Sequence, residues 1–151
     1  MEKTYTRASI NNIVPGRLYQ RGQILTWQRA YKLQLIEYLK VGVVVNLWPK
    51  LDPDMSDMPC YYLYLPSSSQ DTVGEDIMIM SKCVAELLNN SIVDKSALIL
   101  CEAGKTRSVF FAGLVLMHMY TMTGAKALKI LEKRVPGHRM KPYMIDWFNS
   151  Q

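Results

Sequence analysis

Cys101 and Arg107 are separated by five residues, Ser108 follows, and Gly104 lies between. An apolar run at 97–100 precedes them and a long apolar stretch, 108–122, comes after. This pattern predicts a strand, a short loop and a helix N-terminus, the place in an α/β sheet where loop amides and the positive end of a helix dipole face an anion. Gly104 allows a turn that points successive N–H groups inward, and the planar fork of Arg107 matches two phosphate oxygens. Cys101 would then sit beneath the phosphorus. The same field favours thiolate over thiol, which makes Cys101 a nucleophile. The hydroxyls of Thr106 and Ser108 stand close enough in the chain to reach that sulfur. For Ser108, helix capping is the alternative role.

The elements that must hold this segment are read from periodicity. Residues 14–19, with Pro15 and Gly16, read as a turn into a short edge strand that Gly22 breaks. Thr26 is an N-cap for a helix with apolar positions Trp27, Ala30, Tyr31, Leu35, Ile36 and Leu39, ended by Gly42. The continuous run at 43–48 predicts a strand covered on both faces, and residues 60–65 a second one after a loop at 51–59. After an exit loop at 66–74, Ile77, Met80, Val84, Leu87 and Leu88 mark one helix face. Helices are expected at 108–122, at 125–134 after Gly124, and at 143–148. Strands alternating with helices give an α/β domain with a central, mostly parallel sheet flanked by helices.

The Cys-x5-Arg-Ser arrangement at 101–108 resembles the signature loop of the cysteine-dependent protein tyrosine and dual-specificity phosphatases. LYQRGQ at 18–23 is similar to the "LYRSGQ" stretch of the atypical dual-specificity branch, and 42–47 to its "GIKTVINL" strand. Residues 62–66 resemble the strand before that family's general-acid loop, and 125–148 its C-terminal helices. The resemblance implies a dual-specificity phosphatase-like fold and hydrolysis of phosphomonoesters on protein, phosphotyrosine first and phosphoserine or phosphothreonine next, through a phosphocysteine. It implies a substrate loop of Glu102, Ala103, Gly104, Lys105, Thr106 and Arg107, and its motif position favours Ser108 over Thr106 as the hydroxyl that steadies the thiolate as it leaves; no metal or cofactor is expected. It also implies a general acid after the strand, for which Asp71 is the first choice and Asp76, at the expected start of a helix, the second. The family usually carries histidine before the nucleophile. Here that residue is Leu100, which favours a slower enzyme or a phosphate-binding interaction module.

Lys105 stands where inositol-phosphate and phosphoinositide phosphatases of this kind carry a lysine, while Glu102 repels a highly charged head group. Phosphorylated protein or inositol phosphate is thus the implied partner, and nucleic acid is not expected. The chain has 151 residues, read as an N-terminal arm at 1–13 and a single domain at 14–151. Its net charge of +5 favours anionic partners in general. Three cysteines without a CxxC pair, and a polar N-terminus, predict a reducing cytoplasmic setting; no apolar stretch reaches the ~18–20 residues of a membrane span.

Other residues have plainer readings. Cys60 and Cys83 are expected on apolar faces, as structural residues or as partners in a disulfide protecting Cys101. Met117, Met119 and Met122 read as core filler, and His118 and His138 lack the neighbours a metal needs. A nucleotide-binding Walker loop would need glycine five residues before Gly104, where Ile99 stands. Lys133, Arg134, His138, Arg139 and Lys141 form a basic cluster that is a solvated face, or steers an anionic substrate if it lies near the loop.

Overall fold

The computed structural model describes residues 10–66 and 74–151. Five strands, β1 (Asn11–Val14), β2 (Leu18–Gly22), β3 (Val41–Asn46), β4 (Tyr61–Tyr64) and β5 (Ser96–Cys101), form one sheet in the order β1-β2-β5-β3-β4. The β1–β2 pair is antiparallel and the other pairs are parallel. The inner neighbours β3 and β5 are buried at every residue, as the apolar runs 43–45 and 97–100 at their centres require.

Side chains alternate across the sheet and so divide the core. Val44, Leu98 and Leu100 pack with Leu35 and Ile36 of α1 (Arg29–Tyr38) and with Met55 of a short 3-10 helix (Pro53–Asp57). Val43, Val45, Ala97, Ile99 and Cys101 face the larger layer, made of α2 (Glu75–Asn90), α3 (Arg107–Tyr120), α4 (Gly124–Arg134) and α5 (Pro142–Asn149). Within it α3 is enclosed on nearly all sides, with Phe110 edge-on to Trp147 and 5.0 Å from Phe148 between ring centroids. Burial of Phe110 or of Phe148, both fully enclosed, is worth ~1.5–3 kcal/mol over exposure. The result is a rigid mount for the N-terminus of α3, where the loop from β5 arrives.

Several local expectations are corrected. The edge of the sheet is β1, drawn mostly from residues expected to be arm; β2, the expected edge strand, lies one strand further in. Gln28 rather than Thr26 holds the N-cap position of α1, because residues 24–27 are taken up by a turn in which the Trp27 amide donates to the Ile24 carbonyl. Gly42 does not end α1: Lys40 takes the left-handed conformation there (φ 53°), and Gly42 lies inside β3, where a Cβ would come within 2.8 Å of Ile92 Cδ1. Gly124 opens α4 rather than breaking a helix, since Thr123 accepts from the Lys126 amide and Thr121 has already turned the chain (φ 51°). Cys83 is exposed, not on an apolar face, whereas Cys60, half-buried, packs against the α1-side core as expected. His118 is exposed on α3; what burial it has, then Lys82, holds its pKa down, while Glu86 pulls the other way.

Candidate active site

Cys101 ends β5 and Arg107 opens α3, so the loop at 102–106 spans the carboxyl end of the central strand and the helix N-terminus. Its carbonyls are held outward. The Gln23 amide donates to Glu102 O (3.2 Å), Gln20 Nε2 to Gly104 O (2.5 Å) and the Arg139 amide to Lys105 O (2.7 Å). In a trans peptide the N–H points opposite to the C=O, so the amides of Ala103, Lys105 and Thr106 turn to the inside of the loop. Gly104 makes this path possible: its φ is +71°, and a Cβ there would lie 2.2 Å from the Gly22 nitrogen.

Cys101 is 3% exposed and forms the floor of a cavity of about 240 Å³ lined by Glu102, Ala103, Lys105, Thr106, Arg107 and Lys141. Its Sγ lies 2.9 Å from Ser108 Oγ, and Ser108 is fully buried. Thr106 donates its hydroxyl to Arg139 O (3.0 Å), which leaves Ser108 as the hydroxyl at the sulfur. Arg107 reaches the Leu47 carbonyl (3.4 Å). Among the described residues lining the cavity, the cations Lys105, Arg107 and Lys141 thus outnumber the acid Glu102.

Asp71 lies outside the described residues. Asp76 is exposed in the first turn of α2 and does not line the cavity. Of the basic cluster, Lys141 reaches the cavity, and Arg139 braces the loop through its backbone. The residue not anticipated is Gln20. Its signal was a polar side chain sharing an inward face of β2 with Leu18, both fully buried.

The sequence matches no known family profile and no curated protein. Solved structures do match. PTP-2 phosphatase of Cydia pomonella superposes with a TM-score of 0.74 at 13% identity, covering 94% of this chain and 89% of that one. The human tyrosine phosphatase-like serine/threonine/tyrosine-interacting protein gives 0.74 at 17%, covering 95% of each. PTPMT1 in complex with PI(5)P gives 0.74 at 10%, covering 94% and 93%. The fold is that of the tyrosine and dual-specificity phosphatases. Within this phosphatase fold Leu100, at the position before Cys101, packs on the α1 side of the sheet, away from the cavity. No described helix is long and apolar enough to cross a membrane.

Proposed function

We propose that the chain is a cysteine-dependent phosphatase acting on phosphomonoesters of protein, phosphotyrosine first. What supports this reading is a buried sulfur on the floor of a cationic cavity, ringed by inward amides and 2.9 Å from a hydroxyl. The Cys101 thiolate attacks phosphorus; an S–P bond forms as the ester P–O bond breaks, and the leaving oxygen takes a proton from a carboxylic acid, Asp71 by chain position. Water then attacks phosphorus, giving its proton to that carboxylate. The S–P bond breaks, phosphate departs, and Ser108 donates to the returning thiolate. Loop amides and Arg107 meet the charge on the transferring group.

Lys105 and Lys141 at the cavity favour a second substrate class, inositol phosphates or phosphoinositides. Assaying p-nitrophenyl phosphate, phosphopeptides and inositol phosphates side by side separates the two. Cys101→Ser should abolish turnover and leave phosphate binding. Arg107→Lys should weaken both binding and rate, since an ammonium cannot make the bidentate contact. Phosphate binding by a wild-type protein that hydrolyses none of these substrates would leave an interaction module instead.

A further inference from the structure

We propose that Gln20 is a positioning residue that aims the Ser108 hydroxyl at Cys101, an inference that rests on Cys101 being the nucleophile. Gln20 is fully buried in β2, beside β5 in the sheet. Its carboxamide nitrogen lies 2.5 Å from Gly104 O and 2.7 Å from Ser108 Oγ, and its oxygen accepts from Asn11 Nδ2 at 2.8 Å. Gly104 O can only accept, so the amide cannot be reversed: nitrogen must face the loop.

Both amide hydrogens are therefore used, one on the loop carbonyl and one on the serine oxygen. A hydroxyl that accepts from Gln20 keeps its single hydrogen for another acceptor, and the sulfur is 2.9 Å away. A thiolate can only accept. Gln20 thus turns Ser108 into a donor toward the charged sulfur, and Asn11, its partner across the β1–β2 ladder, fixes the amide from behind. Leu100, packed on the opposite face, gives the loop no polar support.

The test reads Cys101 without turnover: the pH dependence of iodoacetamide alkylation, followed by mass spectrometry of the Cys101 peptide. Gln20→Met keeps length and removes both donors. Its alkylation midpoint should rise by about one pH unit, the scale of a lost hydrogen bond to a charged group. Ser108→Ala should rise similarly, and the double variant no further than Ser108→Ala alone. Full addition of the two shifts, or an unmoved midpoint in folded Gln20→Met, overturns the inference. Should Gln20→Met not fold, Asn11→Ala loosens the same amide and should move the midpoint the same way by less; no movement counts against Gln20. Absence of phosphatase activity in the wild type would defeat the proposed function while the alkylation profile still decides the role of Gln20.

Discussion

Cys101 Sγ and Ser108 Oγ lie 2.9 Å apart although they stand seven positions apart in the chain, because β5 and α3 converge on one loop. On the proposed mechanism, the hydroxyl buried against the sulfur acts where the thiolate is a leaving group. Ser108→Ala should slow breakdown of the phosphocysteine by about 10–100-fold, the worth of a hydrogen bond to a charged group. Rapid-mixing kinetics with p-nitrophenyl phosphate should then show a burst of p-nitrophenol followed by a slow steady state. A uniform fall without a burst would put the hydroxyl's role elsewhere.

Gly104 is the hinge of the loop, with φ +71° and the Gly22 nitrogen 2.2 Å from where a Cβ would stand. Backbone atoms of β2 cannot yield as a side-chain tip does. Gly104→Ala should cost about 2–5 kcal/mol, from left-handed strain and overpacking together. Urea unfolding measures it, and activity should be lost with it, since relief requires the loop to move away from β2. A variant of wild-type stability and rate would show that the loop is not held as described.

The segment from 97 to 108 was legible because its signals are local: an apolar run, a glycine and a helix start in one stretch of chain. The parallel sheet was legible for the same reason, from uninterrupted runs in β3 and β5. Gln20 was not, because its partners are 84 and 88 residues away and depend on β2 lying beside β5. Nor was the buried Lys32, whose ammonium donates to Leu25 O and to the carboxylates of Asp52 and Asp54 at 3.0, 2.9 and 2.7 Å. A helix period assigns such a lysine to solvent; only the path of the chain after β3 brings it two acids. The β1 strand escaped because NNIV is half polar and its pairing comes from the turn at 15–17.

Burial pushes the Cys60 thiol up to about 11 from its ordinary 9.0. The folded state therefore favours the neutral thiol, and the associated stability is whole below the unfolded value and is lost as pH rises toward 11. The loss is on the order of 2 kcal/mol, an upper figure for a half-buried group. Urea unfolding of wild type and Cys60→Ala at about pH 8 and about pH 10.5 isolates it from other titrating groups. The wild type's advantage should shrink or reverse at the higher pH; an unchanged gap would mean that burial does not hold the thiol neutral.

On the proposed mechanism, the proton for the leaving oxygen separates Asp71 from Asp76. Asp76 sits exposed in the first turn of α2, where a carboxylate stabilises a helix N-terminus by ~0.3–1 kcal/mol whatever the chemistry. Asp76→Asn should therefore cost a little stability and almost no rate. Asp71→Asn should cost about 10²–10⁴-fold on alkyl phosphates such as phosphoserine, whose alkoxide cannot leave unprotonated. On an aryl phosphate with a good leaving group the loss should be slight, because the phenolate departs unaided. Rates on both substrate types, across pH, decide the assignment: the alkaline limb of the profile should flatten in Asp71→Asn alone. If Asp76→Asn carries that pattern instead, the acid is supplied from the start of α2, and the chain-position assignment of Asp71 falls.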